Sequence, residues 1–130
     1  MLPTCNLQIR VRYAETDPMG LLHHSRYLVY FEMGRTELLR LAGMDYKWCE
    51  QQGIFFVVAR INVRYKAPAR YDDLLTLTTT ATTISPAKIE HDYFLRRDNQ
   101  LLCQAQSTIA CIDRQGRLQP VPEFLRNPSS

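Results

Sequence analysis

Between Ser25 and Ala42 the apolar residues repeat with a helical period, and almost everywhere else they repeat with the period of a strand. Leu28, Phe31, Leu38, Leu39 and Ala42 share one helical face, which Tyr27, Tyr30 and Leu41 broaden. Ser25 is the expected N-cap and Gly43 the expected C-cap. Such a helix is about 27 Å long, enough to cross several strands. The run DYKWCEQQG reads as a further short helix ending at Gly53.

The rest of the pattern is β. Ahead of the helix, Ile9, Val11 and Tyr13 alternate with Arg10 and Arg12, which predicts a half-buried strand over residues 9–13. After Gly53, Ile61, Val63 and Tyr65 oppose Arg60, Asn62, Arg64 and Lys66. A turn region, APARYDD, separates them from LLTLTTTATTI, whose β-branched threonines favour a pleated strand. KIEHDYFLRRD, a turn after Asp98, and LLCQAQSTIACID follow, and VPEFLR closes with one helical turn. The order is strand, long helix, four strands, an α+β arrangement. One helix covers one face of such a sheet, and the abundance of Val, Ile, Leu and Phe predicts that a second subunit covers part of the other.

At 130 residues the chain is expected to form one domain, residues 1–130, because two halves would each be too small for a stable core. A formal charge of +3 does not argue for nucleic acid, but suits an anionic small molecule where the cations gather. No apolar run approaches the roughly 18 residues of a membrane span. The first residues, MLPTCNLQIRVR, reach charge before any signal-like stretch, so a cytoplasmic protein is expected. Cys5, Cys49, Cys103 and Cys111 have no C-x-x-C spacing and read as buried thiols.

The segment with chemical content is RYAETDPMGLLHHSRY, residues 12–27. DPMG is a type I turn sequence, with Asp17 first, Pro18 second and Gly20 fourth. An aspartate in such a turn often does no more than accept a hydrogen bond from its own backbone. The adjacent His23 and His24 do not suggest a metal site, since neighbouring side chains diverge and no third ligand follows at metal spacing. Glu32 with Arg35, and Glu37 with Arg40, are spaced to pair on the helix, and Glu32 stands among apolar positions. His91 alternates with Ile89 and Tyr93 and reads as a sheet-face residue without an assigned role.

RVRYAETDPMGLLHHSRYLVYFEMGRTELLR, FFVVARINVRYKAPARYDDLL and the closing strands resemble the hot-dog-fold acyl-CoA thioesterases of the 4-hydroxybenzoyl-CoA thioesterase type, in particular their short bacterial members. The resemblance implies a long central helix wrapped by a five-stranded antiparallel sheet. It also implies a homodimer joined sheet edge to sheet edge, shared active sites at that interface, and pairing into a homotetramer. By the same resemblance Asp17 is the catalytic carboxylate, with Tyr13 and His24 beside it. The helix start around His24 and Ser25 would supply the amide that polarises the thioester carbonyl. Ser25 stands where many relatives have asparagine, and His23 where an aromatic is common.

The chemistry fits those residue types. Thioester hydrolysis needs a nucleophile or base, and an ionised aspartate can be either. It also needs oxyanion donors, which a helix N-terminus provides without any side chain. Ser25, Arg60, Arg64 and Lys66 are the substrate-binding candidates, the three cations for the phosphates of coenzyme A. No cofactor or metal is implied; coenzyme A is part of the substrate, and an acyl carrier protein is an alternative carrier. Two other readings stay open: a hot-dog enoyl-CoA hydratase or dehydratase, and a non-catalytic acyl-CoA or acyl-carrier binding protein. The first expects an aspartate and a histidine five residues apart, whereas His23 and His24 follow Asp17 by six and seven.

Overall fold

The computed structural model describes residues 3–126. A strand β1 (Thr4–Arg10) leads through a 3-10 turn (Tyr13–Glu15) to the long helix α1 (His24–Leu41) and a short helix α2 (Tyr46–Gln51). Strands β2 (Phe55–Tyr65), β3 (Leu74–Ile84), β4 (Ile89–Arg97) and β5 (Gln100–Ile112) follow, then a two-residue β6 (Leu118–Gln119) and α3 (Glu123–Arg126). The sheet is antiparallel in the order β1-β3-β4-β5-β2, with β6 paired to the end of β5. This is the hot-dog arrangement: five long strands curved around one helix, extended by the short sixth strand.

The helix-facing side of the sheet takes the apolar residues. Leu75, Leu77, Thr79 and Ala81 of β3 alternate inward with Ile89, His91, Tyr93 and Leu95 of β4, all buried. The other side carries Thr76, Thr78 and Thr80, Glu90 and Asp92, Gln104 and Gln106. The expectation that apolar residues on that outer side await a second subunit is therefore wrong in its premise. Alternation places nearly all of them beneath α1, and the outer side is polar. The exposed apolar residues stand instead on α1 (Leu28, Val29, Met33) and on the edge strand β2 (Val57, Val58).

The buried stripe of α1 is also rotated from the expected one. Tyr27, Tyr30, Phe31, Gly34, Arg35 and Leu38 are buried, whereas Leu28 and Leu41 are exposed and Ala42 lies on the surface. Gly34 sets this rotation. A Cβ there would stand 2.2 Å from Thr79 Oγ1 and 2.9 Å from Leu77 Cδ2, so only glycine lets the helix come so close to β3. Once position 34 faces the sheet, positions 27, 30, 31, 35 and 38 follow by helical spacing.

Two boundaries moved. The first strand runs from Thr4 to Arg10 rather than over residues 9–13, because Val11 pairs with Asp73 and Asp72 of the β2–β3 connection before the chain turns. The N-cap of α1 is His23, not Ser25: His23 Nδ1 accepts from the Ser25 N–H at 3.2 Å, which puts Ser25 inside the first turn. At the other end Ala42 is the cap, and Gly43 follows with φ +85°. All four cysteines are buried thiols, and burial pushes those of Cys103 and Cys111 up to about 11. Among the described residues no helix is long and apolar enough to cross a membrane.

Candidate active site

The segment between β1 and α1 is a small hairpin bonded to itself. The His23 N–H donates to Glu15 O at 3.0 Å, Thr16 bridges Leu22, and the Asp17 N–H donates to Leu21 O at 2.8 Å. At its tip the Gly20 N–H donates to Asp17 O at 2.9 Å, closing the turn that DPMG predicts, with Gly20 at φ +78°. The hairpin is docked on the β2–β3 connection, where the Leu22 N–H donates to Ala69 O and the Tyr71 N–H to Gly20 O.

Asp17 is half-buried in this turn. Its Oδ1 accepts from the Met19 N–H at 2.8 Å and the Leu21 N–H at 3.1 Å, while Oδ2 has no hydrogen-bond partner among the described residues. The bland role of a turn aspartate is thus filled by one oxygen alone. Across the hairpin, Asp17 lies two residue steps, about 7 Å, from the Glu15–His23 pair at the helix start. There the Ser25 N–H is capped by His23 and the Arg26 N–H donates to His23 O, but the His24 N–H has no acceptor among the described residues.

The buried group here is one the sequence reading did not single out. Glu15 is only 3% exposed, and its Oε1 accepts from the Arg12 N–H and the Tyr30 hydroxyl, both at 2.9 Å. Burial works to raise the Glu15 carboxyl, but these two bonds and the Arg12 guanidinium outweigh it and hold it below the ordinary value. Burial and the same carboxylate push the Tyr30 hydroxyl up. An acid two places before Asp17 was the available signal. Its partner Tyr30 lies 15 residues further on, beyond the reach of local pattern.

The remaining candidates separate. Tyr13 leaves the sheet and is 77% exposed, its ring edge-on to Tyr71 at 5.5 Å, so the expected place beside Ile9 and Val11 is corrected. The His24 ring is exposed and stacked on His23 at 4.3 Å. Ser25 is exposed and bonded to His23 through its hydroxyl at 2.8 Å. Arg60, Arg64 and Lys66 are all exposed, without a carboxylate partner among the described residues. Tyr65 brings the end of β2 to the helix start, its hydroxyl donating to His24 O at 3.2 Å. Arg64 and Lys66 flank that contact, whereas Arg60 is about 17 Å back along the strand. Glu32 proves exposed; the buried charge of the helix is Arg35, which donates to the Tyr93 hydroxyl at 2.9 Å. Tyr13 and His24 are exposed and Asp17 is half-buried, so in a single chain this site is open to solvent on one side.

The fold and its relatives together define a thioester hydrolase of the hot-dog type. The chain belongs to the thioesterase-like superfamily, whose family model matches residues 11–128. It is 36% identical over 114 residues to the acyl-CoA thioesterase YbgC of Haemophilus influenzae, covering 87% of this chain and 83% of that one. It is 35% identical over 109 residues to the putative acyl-CoA thioesterase YneP of Bacillus subtilis, covering 83% and 79%. The crystal structure of a probable thioesterase from Bartonella henselae superposes with a TM-score of 0.87 at 31% identity, covering 92% of this chain and 99% of the other. These relatives set the reading as a hydrolase ahead of both the hydratase and the non-catalytic binding protein.

Proposed function

We propose that the protein hydrolyses acyl-CoA thioesters to a free acid and coenzyme A, with Asp17 as nucleophile or general base. The observation that carries this reading is the pairing of two unspent groups: Asp17 Oδ2, and the His24 N–H about one turn of hairpin away. The thioester carbonyl docks with its oxygen on the helix start, where the amide and the positive end of the α1 dipole stabilise the developing oxyanion. Asp17 then either attacks the carbonyl carbon, expelling the coenzyme A thiolate and leaving an anhydride that water cleaves, or takes a proton from the water that attacks. His24 and Tyr13 border the approach, and Ser25 lines the helix start. Arg64 and Lys66 receive the phosphates, with Arg60 further along the same strand.

The open side of the site is closed, in this reading, by a second copy joined along β2. Among the described residues that edge strand pairs on one side only, with β5, and exposes Val57 and Val58, while α1 exposes Leu28, Val29 and Met33. Two such dimers would form the tetramer. Four buried thiols suit a reducing cytoplasm.

The test is thiol release from a panel of aliphatic and aromatic acyl-CoAs, with acyl carrier protein thioesters alongside. Release from the carrier protein thioesters alone would move the substrate class away from coenzyme A. Single-turnover hydrolysis in labelled water tests the anhydride route: label entering the Asp17 carboxylate requires an anhydride cleaved at the carboxylate's own carbon.

A further inference from the structure

At the far end of α1 from Asp17, a chamber of about 270 Å³ opens between the last turns of the helix, the sheet and α3. Leu38, Leu39, Ile84, Ile89, Ile109 and Leu125 supply most of its wall. Leu38 stands 14 positions after His24 in the same helix, or about 21 Å. Tyr30, Phe31 and Tyr93, each at most 1% exposed, fill the layer between the two ends. The chamber is therefore separate from the site at Asp17.

One polar side chain looks into it without a partner. His91, on β4, is 7% exposed, lines the chamber, and its Nδ1 has no hydrogen bond among the described residues. A buried nitrogen left so costs about 1–3 kcal/mol, a cost that an apolar residue would not carry. Beside it Arg35 lies buried with phenols for neighbours: its guanidinium donates to the Tyr93 hydroxyl at 2.9 Å with that of Tyr46 near by, and no carboxylate comes within 4.0 Å among the described residues. Tyr46 also lines the chamber. Arg35 is not part of the chamber's lining, but a buried cation partnered only by hydroxyls leaves the potential beside His91 positive. Glu32 and Glu50 line the adjoining hollow with Arg35 but are exposed, so the interior favours an anion and the outer rim does not.

We propose that this chamber is a second binding site, for a medium-chain aliphatic monocarboxylate. The carboxylate accepts from Nδ1–H of neutral His91 in the field of Arg35, and the chain lies among the leucines and isoleucines. Its size follows from the volume: a cavity of about 150 Å³ takes benzene, so this one of about 270 Å³ in proportion holds about eleven non-hydrogen atoms, close to a medium-chain acid. The site stands on its own lining and not on the reaction at Asp17, although a free acid is what that reaction would release.

The test is titration of the isoleucine-methyl-labelled protein with sodium decanoate and with decanol, followed by NMR. The expected result is saturable decanoate shifts at the methyls of Ile84, Ile89 and Ile109, with decanol binding at least fivefold more weakly. Asp17→Asn leaves that affinity within twofold, and His91→Phe weakens it at least tenfold. Leu39→Trp, which fills the chamber from the helix side, abolishes it and decides the matter where the His91 variant does not fold. No shifts at these three methyls, equal binding by a folded His91→Phe or by Leu39→Trp, loss in Asp17→Asn, or decanol binding as well as decanoate would each overturn the assignment.

Discussion

Asp17 spends one oxygen on its turn and, in the proposed mechanism, the other on the thioester, and the consequences of changing it divide accordingly. Asparagine keeps an oxygen to accept from the Met19 and Leu21 amides but cannot act as base or nucleophile. We expect Asp17→Asn to fold normally and to lose about 10²- to 10⁴-fold in kcat, the usual range for a positioned acid–base group; full activity would remove Asp17 from the chemistry. His24→Ala should lose less, since in the proposed mechanism its backbone amide and not its exposed ring is the oxyanion donor. Glu15 offers a subtler test. Its side chain ties Arg12 to Tyr30 while its backbone oxygen holds His23. Glu15→Gln should therefore lower kcat by about tenfold with KM little changed, and Tyr30→Phe less; unchanged steady-state kinetics in Glu15→Gln would show that the tie only supports the fold. Acid should also loosen the molecule through two buried groups. Glu15 has its carboxyl held below the ordinary 4.5, so its contribution is present above that pH and is lost as pH falls through its folded value. His91 is pulled from 6.5 down to about 4 by burial, with Arg35 adding to the effect. The unfolded chain thus binds more protons between those limits, and stability is lost as pH falls from 6.5 to 4. The His91 share is about 3 kcal/mol. Melting curves across that window should show the decline, and His91→Phe should flatten it.

Among the elements, α1 depends on one contact. Gly34→Ala would set a methyl into Thr79 and Leu77, and Thr79 is fully buried, so about 1–3 kcal/mol of destabilisation is expected. Thr79→Ala removes the nearest atom and should recover part of it in the double variant; a Gly34→Ala protein as stable as its parent would disprove the tight approach. The elements themselves were largely legible in the sequence. LLTLTTTATTI corresponds to β3 residue for residue, from Leu74 to Ile84, because period-two alternation is a direct image of the pleat. The helix was legible for the same kind of reason, but its rotation was not, since Gly34 contributes nothing to an apolar pattern and decides the packing all the same. Tyr13 failed differently. The alternation of Ile9, Val11 and Tyr13 outlasts the strand, which ends where Val11 meets Asp73, a partner 62 residues away. Asp17 could be found from its turn chemistry. The burial of Glu15 and Arg35 could not, because each is covered by residues remote in sequence.

At the scale of the whole molecule, the proposed dimer joins along the apolar residues exposed on α1 and β2, since the outer side of the sheet is polar. Sedimentation should find a dimer or tetramer, and a charge placed at Val58 on the free edge of β2 should dissociate it and lower activity together; a fully active monomer would contradict a shared site. Arg64→Ala with Lys66→Ala should raise KM for acyl-CoA by about tenfold with kcat nearly kept, because in the proposed mode these exposed cations act on the bound phosphates and not on the reacting carbonyl. An unchanged KM would leave those residues as solvated surface. The hairpin carrying Asp17 has a further consequence. It is fastened to Glu15, Leu21, Ala69 and Tyr71 by main-chain bonds, while Pro18 and Met19 at its crest face outward, Met19 74% exposed. Crest side chains can thus be exchanged without unmooring the carboxylate, which makes Met19 a natural position for a library aimed at retuning which acyl groups the enzyme accepts.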